Sequence, residues 1–274
     1  MELSDLAGRG VVLLGCGKMG SALLEGWLAS GMPPSAFSVR DPNPSPRLLA
    51  LADEGLSLNA DLPPHPAVAL LAVKPQMMAD ALPDVVALGG GSTLFVSIAA
   101  GISIASLEAT LGAGTPVVRA MPNTPAAVGR GITALVGNTV AGQTGLAIAE
   151  ALMAAVGQTL RLPSETQMEA VTAVSGAGPA YVFLLIEALA AAGEAEGLTP
   201  DVALHLARAT VAGAGALAES SDSSPAQLRV DVTSPGGTTA AALAVLMQEG
   251  TGLPPLLARA VAAAADRSRA LRGG

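Results

Sequence analysis

The chain has a single cysteine, Cys16, and two histidines, His65 and His205. A disulfide framework is excluded, and a zinc site built on cysteine and histidine has too few ligands. Lysine is as scarce: Lys18 and Lys74 are the only two, so no lysine beyond position 74 can serve as an acid or base. Charged residues make up 13% of the sequence, about half the usual quarter. The balance is 14 basic to 22 acidic side chains, a net charge of −8. Nucleic-acid binding needs a basic stripe, which is missing, so that partner is not expected. Aromatic residues are only 2%, yet 51% of the chain is apolar. Such a composition rules out disorder and supplies a sizeable core. A length of 274 residues gives room for about two domains.

Two charge-free stretches, 85–107 and 131–149, are nominally long enough to span a bilayer. Gly89-Gly90-Gly91-Ser92-Thr93 splits the first and Gly137-Asn138-Thr139 splits the second, so each reads as a buried strand followed by a helix. The start, Met1-Glu2-Leu3-Ser4-Asp5, is acidic and unlike the basic n-region of a secretory signal. A cytoplasmic protein without a membrane partner is expected.

The first half alternates apolar runs with helical patterns. Strands are expected at 10–15, 37–39, 68–73, 93–98 and 116–118, with a sixth at 131–136. Their apolar residues are continuous rather than alternating, which indicates a parallel sheet covered on both faces. A helix over 21–30 follows the first strand. The pattern fades near Pro163, which sets expected domains of 1–163 and 164–274. Beyond it, Met168, Val171, Val174, Val182, Leu185 and Leu189 recur at helical spacing. Gly176-Ala177-Gly178-Pro179 predicts a kink or a new start there. Thr199-Pro200-Asp201 opens a further helix running to about 217, and two more cover 239–248 and 256–271. These helices offer more apolar face than a small bundle needs, which favours an interlocked dimer.

Gly15-Cys16-Gly17-Lys18-Met19-Gly20 directly follows the first strand. It matches G-x-G-x-x-G in the setting that gives the motif meaning: strand, tight turn, helix. Glycines let backbone N–H groups approach a pyrophosphate, and the helix start adds partial positive charge. Asp41 follows 21 positions after Gly20, where a ribose contact belongs. Asp41 suits the ribose hydroxyls of NAD, whereas Arg40 suits the extra phosphate of NADP, and the sequence leaves that choice open. Lys18 reads equally as a phosphate contact or a solvent-facing residue. Lys74 precedes Pro75 at the carboxyl end of a strand, where ligands gather in open parallel sheets. Cys16 reads as a small buried filler of the turn rather than a reactive thiol. Neither histidine has a visible partner, and both read as structural.

In the second half, Asp231-Val232-Thr233-Ser234-Pro235-Gly236-Gly237-Thr238-Thr239 opens a helix with small residues. Its unpaired N–H groups, with the hydroxyls of Ser234, Thr238 and Thr239 around them, suit a carboxylate. The stretch 232–239 resembles the signature of the pyrroline-5-carboxylate reductases. Gly15 to Gly20, Ala72-Val73-Lys74-Pro75-Gln76, Met121-Pro122-Asn123-Thr124-Pro125 and Ala173 to Tyr181 also resemble that family, in its order and over nearly the whole chain.

The resemblance implies an N-terminal Rossmann-type domain and a C-terminal all-α dimerisation domain, with dimers often assembling into decamers. It implies NADPH or NADH as coenzyme and reduction of 1-pyrroline-5-carboxylate to L-proline, the last step of proline biosynthesis. By the same resemblance Thr239 hydrogen-bonds the ring nitrogen, while Ser234, Gly236, Gly237 and Thr238 hold the carboxylate. Asp222 takes the place of a glutamate near the substrate amine. Lys74-Pro75 and Asn123-Thr124-Pro125 border the nicotinamide, and Ala72 and Val73 belong to the same coenzyme site. A β-hydroxyacid dehydrogenase, the nearest rival, would need a lysine acid in the helical half, and none exists. A dinucleotide-binding scaffold without turnover would have no use for the hydroxyl-rich helix start.

Overall fold

The computed structural model describes residues 6–272. The acidic start at 1–5 lies outside the described residues. Of the described residues, those up to 176 together with those from 265 on form one compact unit, and residues 177–264 form another.

The first unit is built on an eight-stranded sheet of order β3-β2-β1-β4-β5-β6-β7-β8. The strands are β1 (Val11–Leu14), β2 (Phe37–Arg40), β3 (Ser57–Leu58), β4 (Val68–Leu71), β5 (Leu94–Ser97), β6 (Val117–Met121), β7 (Gly131–Gly137) and β8 (Gly157–Arg161). Strands β1 to β6 pair in parallel. Helices α1 (Lys18–Ala29), α2 (Pro46–Asp53), α3 (Ile104–Leu111) and α4 (Gly142–Ala154) belong to the same unit.

Continuous apolar strands are explained by two cores. Val11 and Leu13 of β1, with Val68 and Leu70 of β4, enter one cluster. Val12, Leu14, Ala69 and Leu71 enter the other. Because successive side chains point to opposite faces, a strand covered on both sides has no polar position to spare. Trp27 of α1 anchors the first core. It stacks on Phe37 with ring centroids 5.7 Å apart and donates its indole N–H to the Leu152 carbonyl at 2.7 Å. That bond satisfies the one polar atom of a fully buried ring.

Three features depart from the sequence expectation. Strand β7 runs antiparallel to β6, because the link 122–130 contains only a 3-10 turn (Thr124–Val128) and no helix able to cross over. Strand β8 shows an exposed, polar pattern (GQTLR) and gives no apolar run to recognise. Strand β3 is two residues long. The helix expected at 21–30 also begins three residues earlier, at Lys18, so that the glycine loop leads straight into it.

The second unit contains α5 (Gly178–Ala195), α6 (Pro200–Ser220), α7 (Pro225–Asp231), α8 (Thr238–Leu246) and most of α9 (Leu253–Arg272). Pro179 lies in the first turn of α5 and Pro200 in that of α6, where a missing N–H costs nothing. Thr199 occupies the cap position of α6 with extended backbone, but its hydroxyl makes no cap bond. Helix α7 was not expected, since PAQLRVD carries little apolar pattern; Ser224 caps it by accepting the Gln227 N–H. Ala190, Ala203 and Ala207 form a small core with Ile186. Most of α5 is exposed in spite of its apolar sequence, including Phe183 and Leu184. Among the described residues, one helical stretch, 165–195, is long and apolar enough to cross a membrane.

Candidate functional site

Parallel strands end at the same edge of a sheet, so their carboxyl-terminal loops are neighbours. In the first unit this edge gathers 15–20 after β1, Arg40-Asp41 at the end of β2, 72–75 after β4 and Asn123 after β6. Four segments far apart in the sequence thus meet along one line.

The glycine loop is shaped by its own steric limits. Gly15 has φ +87°, and a Cβ there would lie 2.8 Å from a methyl of Val73 and 3.1 Å from the Ala72 carbonyl carbon. Gly20 would collide with the Gly15 carbonyl oxygen at 2.8 Å. Gly17 differs: a Cβ there would meet nothing within 4 Å. Gly15 and Gly20 therefore permit close packing, while Gly17 leaves open space in front of the backbone. Gly17 is also the cap residue of α1, and no side chain caps that helix. An open backbone face at an uncapped helix start fits a pyrophosphate. Lys18, the first residue of α1, is exposed, and Met19 packs against the core.

Asp41 is fastened to this loop. Its Oδ2 accepts the Cys16 N–H at 2.7 Å and its Oδ1 accepts the Asn43 N–H at 2.8 Å. Asn59 grips the Asp41 backbone from the other side, accepting its N–H at 2.9 Å and donating to its carbonyl at 2.8 Å. Asn59 does so with φ +53°, a left-handed conformation that asparagine tolerates better than most side chains. Arg40 Nη1 donates to the Asn59 carbonyl at 2.9 Å, while Arg40 Nε is buried without a partner.

After β4, Ala72 donates its N–H to the Leu14 carbonyl at 2.8 Å, and Lys74 precedes a 3-10 turn beginning at Pro75. Ala72, Val73 and Pro75 are half-buried and Lys74 is exposed. After β6, Asn123 Oδ1 accepts the Ile132 N–H at 3.0 Å and its Nδ2 donates to Ser175 Oγ at 3.3 Å. Ser175 lies in a π-helical turn, Thr172–Gly176. Such turns are rare and recur at functional sites.

Sequence reasoning missed three members of this edge. The exit of β5, 98–101, ends on the same side; Ser97 is buried and Gly101 has φ +79°. An Ala-Ala-Gly run directly after an apolar strand was the available signal. Asn59 gave no local signal, because it acts on a residue distant in sequence; Ser175 lies in the 173–181 segment that resembles the family, but nothing local ties it to Asn123.

Cys16 is buried, and desolvation pushes its thiol above the ordinary 9.0, with Asp41 and Glu25 adding to the shift and a hydrogen bond with Ser21 opposing it. A cavity of about 140 Å³ lies beside it, lined by Ser21, Glu25, Ser45 and Arg47 among others. That is below the ~300 Å³ at which ligand pockets begin. His65 and His205 are exposed. Among the described residues no group of three or more His, Cys, Asp or Glu could hold a metal ion.

In the second unit, α8 begins after Gly236, whose φ is +70°, and Gly237, its cap residue. No side chain caps α8. Ser234 and Thr238 are exposed and Thr239 is half-buried. Thr233 turns the other way, its hydroxyl donating to the Arg229 carbonyl at 2.5 Å. Asp222 is exposed in the loop between α6 and α7.

Residues 165–271 match the family described as pyrroline-5-carboxylate reductase dimerisation. Residues 10–101 match one described as NADP oxidoreductase, coenzyme F420-dependent. The pyrroline-5-carboxylate reductase of Pseudomonas aeruginosa is 40% identical over 264 residues, spanning 95% of this chain and 96% of its own length. That of Mycobacterium leprae is 42% identical and spans 96% of both. The solved reductase of Coxiella burnetii superposes with a TM-score of 0.86 at 36% identity, over 96% of this chain and 98% of that one. The Plasmodium falciparum enzyme, solved with NADP bound, gives 0.84 at 29% identity, over 97% and 99%. By similarity along nearly its full length, the chain belongs to the pyrroline-5-carboxylate reductase family.

Proposed function

We propose that this chain reduces 1-pyrroline-5-carboxylate to L-proline with NAD(P)H, the last step of proline biosynthesis, in the cytoplasm. The chain divides by role into a nucleotide-binding part, 1–163, and a helical part for dimerisation and substrate, 164–274. The observation that carries the substrate assignment is the start of α8: two glycines, no side-chain cap and flanking hydroxyls, on a family member. An uncapped helix start presents N–H groups that suit a carboxylate.

The roles are those that the family resemblance implies. Gly15, Gly17 and Gly20 shape the pyrophosphate cradle, with Cys16, Lys18 and Met19 as the residues between them. Arg40 and Asp41 face the adenosine ribose, Ala72 and Val73 line the coenzyme site, and Lys74-Pro75 with Asn123-Thr124-Pro125 border the nicotinamide. NAD(P)H, when bound, supplies the hydride. Ser234, Gly236, Gly237 and Thr238 hold the substrate carboxylate, and Thr239 hydrogen-bonds the ring nitrogen. Asp222 serves the substrate amine. A cyclic imine is itself basic near neutral pH, so solvent or a hydroxyl suffices as proton donor. Orientation then supplies most of the acceleration.

The exposed apolar side chains of α5, such as Phe183 and Leu184, require cover. We assign that cover to a second copy of the chain rather than to lipid, in keeping with the dimerisation family matched by this segment, and extend it to dimers assembling into a decamer. An absorbance assay tests the enzyme reading. NAD(P)H is consumed with pyrroline-5-carboxylate and left untouched by small hydroxyacids; the reverse result would assign the chain to another reaction.

A further inference from the structure

We infer that the enzyme binds NADH in preference to NADPH, with Asp41 as the discriminating residue. The inference rests on the coenzyme reading above and adds to it the choice between two coenzymes that differ by one phosphate on the adenosine ribose.

A reader of that phosphate is best served by a free cation at the end of β2, and among the described residues both arginines of this segment, Arg40 and Arg47, are engaged elsewhere. A guanidinium grips a phosphate through two parallel N–H groups, either the pair containing Nε or the two terminal nitrogens. Arg40 has Nε buried, which removes the first arrangement, and gives one Nη1 hydrogen to the Asn59 carbonyl, which ties the second to the loop after β3. Arg47, the next arginine in the segment, donates to both carboxylate oxygens of Glu25, at 2.7 and 3.2 Å. It also lies 3.6 Å from Glu54.

The anion at this position is held in place. Asp41 is fixed by the N–H groups of Cys16 and Asn43, and its backbone is clamped twice by Asn59. A carboxylate has about four acceptor positions, so these two bonds leave room for a ribose diol. A diol donates to it, whereas a dianionic phosphate is repelled. Because Asp41 is tied to the glycine loop, it cannot swing away to admit the phosphate without releasing the Cys16 N–H. The Plasmodium relative was solved with NADP bound; the side chains at the end of β2 in this chain point to the other coenzyme.

Equilibrium binding tests this without turnover. Dissociation constants for NADH and NADPH are measured by titration calorimetry on the wild-type chain and on Asp41→Asn, which removes the charge and keeps an acceptor for Cys16. The expected result is that NADH binds the wild type at least tenfold more tightly, and that the substitution narrows the ratio at least fivefold by strengthening NADPH. The fragments 5′-AMP and 2′,5′-ADP, titrated on the wild type, should show the same order and need no variant. Equal or tighter NADPH binding by the wild type would overturn the preference. An unchanged ratio in a folded Asp41→Asn protein would remove Asp41 as its cause. Binding of neither coenzyme would instead overturn the nucleotide reading on which the preference rests.

Discussion

The carboxylate of Asp41 accepts the backbone N–H of Cys16 at 2.7 Å, tying the end of β2 to the middle of the glycine loop. The thiol of the same cysteine is turned into the protein and accompanied by Ser21.

This arrangement makes Cys16 an inert thiol at neutral pH. Burial and the neighbouring carboxylates hold it above the ordinary 9.0, so it stays protonated where free cysteine begins to ionise. The native protein should react with a disulfide reagent at pH 8 at least about tenfold more slowly than unfolded chain, since only the thiolate attacks. A raised value in the folded state also has a sign for stability. Its contribution is complete below the unfolded value and is lost as pH rises through the folded one. Urea midpoints at pH 8 and pH 10 should therefore fall further for the wild type than for Cys16→Ala. Equal falls would mean that the thiol ionises as readily in the folded chain.

The three glycines of the loop should separate folding from binding. In Gly15→Ala the new methyl meets Val73 and the Ala72 backbone at a residue with φ +87°, and thermal stability should drop by several degrees. Gly17→Ala places its methyl in open space with φ −70°, so the melting temperature should fall by no more than the small cost of a poorer helix cap. That methyl then occupies the approach proposed for the pyrophosphate, and coenzyme affinity should weaken at least tenfold, about 1.4 kcal/mol. Calorimetric melting and coenzyme titration of both variants check the contrast. Unimpaired coenzyme binding by Gly17→Ala would move the cradle elsewhere.

Legibility in the sequence followed the range of the interactions. The glycine loop, the apolar strands and the small residues opening α8 are local patterns, and they locate the sheet edge and the helix start. Strand β8 was hidden because its GQTLR sequence pairs at an exposed edge and needs no apolar face. Asn59 and Ser175 were hidden for another reason. Their polar atoms serve Asp41 and Asn123, 18 and 52 residues away, and only the fold brings them together. Residue type alone does not rank Arg40 against Asp41, because hydrogen bonding decides which is free to meet a ribose.

Arg119 and Glu165 form a pair that the apolar pattern also concealed. Arg119 is buried on β6, and its Nη1 donates to Glu165 at 2.5 Å; the same carboxylate oxygen accepts the N–H of Ile104, the first residue of α3. Neutralising Glu165 leaves a buried guanidinium without its counter-charge. Glu165→Gln should cost about 2 kcal/mol, below the 3–5 typical of a fully buried pair because Glu165 keeps partial contact with water. At roughly 2–4 °C per kcal/mol the melting temperature should fall by about 4–8 °C. Replacing both partners, as Arg119→Met with Glu165→Leu, should cost less than Glu165→Gln alone. A double variant less stable than the single one would show that the pair contributes more than mutual neutralisation.

Thr239 carries the most specific chemical assignment, and two substitutions separate its hydroxyl from its methyl. It is the second residue of α8, half-buried, at a helix start that no side chain caps. If its hydroxyl orients the ring nitrogen, Thr239→Ala should lower kcat at least tenfold, about 1.4 kcal/mol of transition-state stabilisation. The coenzyme dissociation constant should stay unchanged, because the segments proposed for the nucleotide lie at residues 15–123. Thr239→Ser keeps the hydroxyl and should recover most of the rate. A purely structural role would be revealed by melting: alanine is the better helix former, so the Thr239→Ala helix should not be weakened. Full activity in Thr239→Ala, with native melting behaviour, would remove Thr239 from the reaction and leave the carboxylate nest as the substrate's sole anchor on α8.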